Sequence, residues 1–270
     1  MSGNGIYAAL SGAMAQSQRL DTIANNIANV DTTGFKKDGQ VFSDYVTVEQ
    51  KPIETNTVPR ITASVNSFYN TQGTETAYVD SHGTFTDFGQ GALKITGNPL
   101  DVAIEGHGFF EVQTPSGVKL TRNGAFKINA QGELVTSDGY PVLRAGNSNP
   151  SNRIIHLTSG NLTIGYSGDI FENDNPLGKL AVVNVKDTDA LQKVGNSLYT
   201  LKPNYKETPH QANNFKIHQG YLEMSNVNIV NEMTKMIEAT RTFQANRNAM
   251  HTFDQMEGEL DNDVPKVVSP

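Results

Sequence analysis

Between residues 4 and 29, small and apolar side chains fall at Ile6, Leu10, Ala13, Ser17, Leu20, Ala24 and Ile27, spaced four and three alternately without a break. That period predicts a helix with a single heptad seam. Tyr7, Met14 and Ile23 widen the seam on one side, and Gly34, after the polar Asp31, Thr32 and Thr33, is a stop signal. At 1.5 Å per residue the helix is about 39 Å long. The far end of the chain reads the same way. Ser225 to Asn228 offers capping side chains, and an apolar stripe follows through Ile229, Met233, Met236, Ile237, Phe243, Met250, Phe253, Met256 and Leu260, interrupted by Thr240 and Arg247. Gly258 is expected to fray its end, and Pro265 and Pro270 frame a non-helical tail.

The oddity of the first helix is its shortage of charge. Through residue 30 the only charged side chains are Arg19 and Asp21, whereas an ordinary surface helix carries a charged outer face. Either the helix is half buried in its own domain, or neighbouring subunits surround it, with Ala8, Ala9, Ser11, Gly12, Ala13 and Ala15 letting backbones approach. The missing charge favours the second reading. Gly12, Asn25, Asn26, Asn29, Thr22 and Ile23 all lower helix propensity. Partner packing must therefore stabilise the segment, at about 1.5–3 kcal/mol per large apolar side chain buried. The implied behaviour is folding coupled to assembly.

Between the helices the pattern changes to short alternating runs separated by turn residues, the signal of antiparallel β structure. Leu100, Val102 and Ile104 alternate with polar positions; Gly106 and Gly108 then precede Phe109, Phe110 and Val112, and Thr114 to Gly117 forms a turn. Further strands are expected at 118–121, 125–128, 134–136, 142–144, 153–157, 161–164, 180–186, 197–201 and 216–224, with Asn123-Gly124 and Asp138-Gly139 as tight turns. The stretch 46–84, rich in Thr, Ser and Asn and holding Pro52 and Pro59, reads as an extended linker with a strand or two. The chain is thus α+β: an N-terminal helical segment 1–35, a linker with partial strands 36–84, a β-rich core of hairpins or meanders 85–224, a C-terminal helix 225–262 and a tail 263–270. No convincing repeat of 20 to 50 residues points to a solenoid or propeller.

The chemistry is sparse. A formal net charge of −7 disfavours a phosphate-backbone binder, so nucleic acid is not an expected partner. The absence of Cys removes disulfides, thiolate metal sites and Cys nucleophiles together. The opening MSGNGIYAAL has no basic residue and leads into a polar stretch, so neither a cleaved signal nor a membrane anchor is expected. None of the six His residues forms a tight ligand cluster; His107, between two glycines, reads as a turn residue rather than a ligand or base. Glu172, Asp174, Asp187 and Asp189 lack the spacing of a calcium loop and read as solvated charges. No nucleophile elbow, phosphate loop or dinucleotide fingerprint occurs, so no catalytic, cofactor or metal residues are expected.

Three segments nevertheless carry a resemblance. ANNIANVDTTGFK (24–36), the core elements LDVAIEGHGFF and LTRNGAFKINAQGELVTSDGY, and GYLEMSNVNIVNEMTKMIEATRTFQANRNAM (220–250) resemble the bacterial flagellar basal-body rod and hook family. The opening 6–38 together with FTDFGQGALKITGNPLDVAIEGHGFF is most similar to the family's proximal rod type. The distal type, which usually carries a Gly-rich run ending in Gly-Val and a basic residue before the core, is the close relative. The resemblance implies a structural subunit, not an enzyme, exported unprocessed through the flagellar type III apparatus. It would then assemble with copies of itself and other rod and hook subunits in the periplasmic basal body. It further implies that the terminal helices pair as a coiled coil in an inner tube, outside which the β core lies. The expected assembly interface is then Ile6, Leu10, Ala13, Met14, Ser17, Leu20, Ile23, Ala24 and Ile27 with Ile229, Met233, Met236, Ile237, Phe243, Met250 and Phe253. Asn25, Asn26 and Asn29 would either bond neighbouring backbone or cap the helix end within one subunit. A secreted β-rich enzyme would need a cleft of convergent polar groups, and a surface adhesin would not need heptads at both ends.

Overall fold

The computed structural model describes residues 3–47, 76–158, 162–205 and 208–263. The first helix, α1, runs Gly3–Ala28. Two strands follow, β1 (Asp38–Thr47) and β2 (Thr76–Thr86), which pair with each other. The expected linker strands are therefore a paired ribbon, and the rest of that linker lies outside the described residues. Next come β3 (Leu93–Ile95), β4 (Val102–Gly106), β5 (Phe109–Thr114), β6 (Gly117–Thr121), β7 (Phe126–Ile128) and β8 (Leu134–Thr136). Then follow β9 (Leu162–Ile164), β10 (Asp169–Glu172), β11 (Asn175–Lys179), β12 (Val182–Asn184), β13 (Leu191–Gly195), β14 (Leu198–Leu201) and β15 (His210–Gln211). Strands β16 (Phe215–Gln219) and β17 (Tyr221–Glu223) lead into the second helix, α2 (Ile229–Asp263).

The chain divides into two compact units. The β unit holds Asn25–Gly39 and Phe85–Glu232; the helical unit holds the described parts of Met1–Ala24, Gln40–Thr84 and Met233–Pro270. In the β unit the largest sheet is antiparallel in the order β13-β14-β6-β5-β12-β15. Its central strand β5 is buried on both faces, Phe109 to Val112 all being buried with Glu111 among them. On one side Phe110 and Val112 join Val102, Ile104, Phe126, Leu134 and Ile217 in the main core. On the other side Phe109 meets Phe88 and Tyr199, with ring centroids 5.6 and 5.7 Å away.

In the helical unit, α1 and α2 come together at Gly12, where an added Cβ would stand 2.9 Å from the Asn246 side-chain nitrogen. Asn228 caps α2, its Oδ1 accepting the Asn231 N–H at 3.1 Å, so the capping expected before Ile229 is in place. The helix runs on through Gly258 to Asp263 and does not end there.

Several strand expectations need correction. Residues 153–157 are not a strand: a 3₁₀ turn covers Pro150–Arg153, and single bridges join Ile154 to Leu143 and His156 to Glu133. Residues 142–144 likewise make isolated bridges to three different partners. A strand at 216–224 is broken at Gly220, whose φ of +79° re-aims the chain so that β16 pairs with β4 and β17 with β3. Strands β3, β10, β11, β13 and β15 carry no clear alternation. Two of their hairpins turn at Asn173-Asp174 and Asn196-Ser197, all four residues at positive φ. Gly34 is not the helix stop, since α1 ends at Ala28. It sits at φ +66° where an added Cβ would fall 2.5 Å from the Asn123 nitrogen. Close approach to the β unit demands glycine there.

Candidate assembly surface

The α1 seam residues do not share one environment. Ala13 and Ile23 are buried, and Ile6, Leu20 and Ile27 are half-buried. Leu10, Met14, Ser17 and Ala24 are exposed, as is Tyr7. The packed face of α1 is therefore turned about a quarter-turn from the drawn seam. Tyr7, Leu10 and Met14 form a stripe at i, i+3 and i+7 with 58%, 43% and 60% of their surface open. Among the α2 residues whose side chains are described, only Glu232 and Ala239 are buried, while Met236, Phe243, Met250 and Phe253 are half-buried. Val230, Met233 and Ile237 repeat the open i, i+3, i+7 stripe, and Ile229 and Met256 are also exposed.

The three asparagines divide. Asn26 is buried, and its amide donates to the Asp38 carbonyl at 2.8 Å and accepts the Asp38 N–H at 2.9 Å. It thus reads the backbone of its own chain at the start of β1. Asn29 donates to the Asn25 carbonyl at 2.9 Å and accepts Thr32 Oγ1 at 3.1 Å, which is capping within one subunit. Asn25 alone presents an exposed side chain.

The β unit also holds a charge cluster that sequence reasoning missed. Lys36, Arg122 and Glu223 are all buried, and the Glu223 carboxylate bridges the Lys36 ammonium and the Arg122 guanidinium, the latter at 3.2 Å. Four separate segments make the site. Lys36 follows α1, Arg122 follows β6, Glu223 ends β17, and Gly91 donates its N–H to Glu223 at 3.0 Å. Burial lowers the proton affinity of Lys36 and Arg122, and the Glu223 charge opposes that shift in both. Beside it, Lys193 of β13 donates to the Lys36 carbonyl and to Asp38, and stands 4.3 Å from the Phe35 ring centre. Asn226 bonds Lys37, Asp87 and Gly89. Nothing in a period-based reading signals such a cluster. The available hint was a Lys and a Glu inside otherwise apolar or turn-forming motifs, TTGFK and GYLEM.

The remaining polar groups do local work. His107 stands exposed in the turn between β4 and β5. Glu172 is buried and accepts the Thr158 hydroxyl at 3.0 Å, and Asp187 caps the 3₁₀ turn Thr188–Ala190. His218 lies 2.6 Å from Glu105 and holds that carboxyl below its usual range. Among the described residues no group of three or more His, Asp or Glu could hold a metal ion, and no helix is long and apolar enough to cross a membrane.

These features agree with the comparisons. Three family models match the chain: flagella basal body rod protein at residues 6–36, flagellar hook protein FlgE/F/G D1 domain at 103–172, and flagellar basal body rod FlgEFG protein C-terminal at 218–262. The flagellar basal-body rod protein FlgG of Bacillus subtilis is 34% identical over 268 residues, covering 95% of this chain and 97% of the relative. The flagellar basal-body rod proteins FlgF of Mesorhizobium japonicum (34%, 88% of each chain) and Caulobacter vibrioides (35%, 90% of each) are similar throughout as well. Lys36 closes the first matched segment and Glu223 lies near the start of the third, so the buried cluster takes one residue from each. With matched segments at both ends and in the core, and relatives aligned along nearly its full length, the chain belongs to the flagellar basal-body rod protein family, which is structural and not enzymatic.

Proposed function

We propose that this protein is a proximal-type structural subunit of the flagellar basal-body rod that polymerises through its terminal helices and carries torque from motor to hook. In this reading 1–35 and 225–262 form an inner helical domain in which α1 and α2 pair as a coiled coil. Residues 36–84 connect it to the outer β domain, 85–224. The partners are further copies of the chain and other rod and hook subunits, reached after unprocessed type III export. The observation that carries the proposal is the pair of open apolar stripes, Tyr7-Leu10-Met14 and Val230-Met233-Ile237, which stand exposed among the described residues. The seam residues named from the sequence supply the rest of the interface, with the exposed stripes facing neighbours.

A distal rod subunit is the second reading, favoured by the match to a FlgG over nearly the full length of both chains. The test is Met14→Asp and Ile237→Asp, two positions already open in the single chain, in a strain lacking the native gene. A carboxylate in a dry helix contact costs several kcal/mol, repeated in every subunit. Incorporation and swimming should be lost while the β unit melts as before. Normal assembly of both variants would overturn the proposal. Complementation of strains lacking the proximal or the distal subunit decides between the two rod positions, and mass spectrometry of assembled protein decides whether export is unprocessed.

A further inference from the structure

We propose that the buried cluster of the β unit is a charge-gated latch, in which Glu223 is the catch, Arg122 is fixed, and Lys36 is the part that leaves, carrying residues 33–37 with it. The three charges are not held alike. Arg122 also donates to the Gly106 carbonyl at 2.6 Å and the Ile104 carbonyl at 3.3 Å, and its guanidinium lies 5.3 Å from the Phe109 ring centre. Its place is set by the β unit whether or not Lys36 is present. The Lys36 ammonium has two acceptors, Glu223 and the Gly89 carbonyl at 2.9 Å.

The segment that carries Lys36 is joined to the β unit mainly by directional polar contacts. Gly34 N–H donates to the Glu223 carbonyl at 2.8 Å, Lys37 N–H to Asn226 Oδ1 at 2.8 Å, and Thr33 Oγ1 to Asn123 Oδ1 at 2.8 Å. Phe35 is its one large buried apolar side chain. Segments with little apolar burial open locally at lower cost than core strands. The Lys37–Asp87 ion pair, at 3.2 Å and partly exposed, adds little to this closure.

The charge arithmetic then gives the latch a direction. Without Lys36, Glu223 keeps Arg122 and the Gly91 N–H, so no buried charge is left alone. Without the Glu223 charge, two buried cations face each other uncompensated. Arg122 is tied to carbonyls, and Lys36 relieves the strain by moving to water. Burial already lowers the pKa of Lys36, and the Glu223 carboxylate is the largest of the charges that oppose that shift, ahead of Asp87.

The test is hydrogen exchange, read by mass spectrometry on the full chain, of the Gly34–Lys37 amides against those of β5 and β6. Glu223→Gln should speed exchange at Gly34–Lys37 about tenfold or more while β5 and β6 stay protected. Lys36→Met should leave both regions protected, and Lys36→Met with Glu223→Gln should restore the protection that Glu223→Gln alone removes. Unchanged exchange in Glu223→Gln, equal loss in β5 and β6, or a double variant no better than the single one would each overturn the latch. If Glu223→Gln does not fold, folding of the double variant with a protected Gly34–Lys37 upholds the proposal, and failure of both variants overturns it.

Discussion

The β unit and the two helices spend their apolar residues in opposite ways. In the β unit Val102, Phe110, Val112, Leu134, Val142 and Leu143 expose none of their surface, and strand β5 of the six-stranded sheet is covered on both faces from within. On the helices Tyr7, Met14, Met233 and Ile237 leave half or more of theirs open. A residue buried inside its own unit reports on folding, and in the proposed assembly one left open on a helix reports on association. The same kind of side chain therefore has a different role on each side of the comparison.

The largest contrast is between Phe110→Ala and Met14→Ala. The first should destabilise the β unit by about 3–5 kcal/mol, through lost burial and the cavity left behind. The second should change monomer stability by no more than about 0.5 kcal/mol. Chemical denaturation of the unassembled protein measures both, and equal losses would erase the distinction between the regions. A smaller contrast lies within the asparagines. Asn26→Ala strands the Asp38 N–H and carbonyl and should cost about 1–3 kcal/mol, whereas Asn25→Ala removes an exposed side chain and should cost about 0.5 kcal/mol or less. If Asn25→Ala is the more damaging in the monomer, the assignment of Asn26 to the interior fails.

The smallest effect is on pH. Burial lowers the Lys36 pKa from 10.5 in the folded chain, so at alkaline pH the unfolded chain holds more of that proton. Stability should therefore rise with pH between the lowered folded value and 10.5, and be lowest in this respect where Lys36 is fully charged. Lys193 is shifted the same way, also by burial. Lys36→Met should flatten the alkaline rise without abolishing it, a difference seen in denaturation midpoints across that range. A midpoint that falls with pH in the parent and not in the variant would contradict the sign.

The two helices were legible because a 4-3 spacing needs no tertiary context: Ile6 through Ile27 and Ile229 through Phe253 declare a period on their own. The alternation through Val102, Ile104 and Phe110 and the turn at Thr114–Gly117 were legible for the same reason, being set by nearest neighbours along the chain. Strands such as β11 and β13 were not, because they lie at sheet edges and bury too few side chains to impose an alternation on the sequence. The face of α1 that packs was likewise invisible. The heptad marks an apolar stripe, but the contact at Gly12 with Asn246 turns the packed face toward Ala13 and Ile23 and leaves Leu10 and Met14 open.

What the sequence determined by itself is everything carried by short-range periodicity and turn chemistry: two long terminal helices, a hairpin-rich middle, and no concentration of catalytic groups. What only the tertiary structure decided is where charge goes inside. Lys36 and Glu223 lie 187 positions apart and Arg122 comes from a third segment, yet they share one dry site. A buried ion cluster is stable only when every member is paired in space, and pairing across such separations is a property of the folded chain that no local pattern encodes.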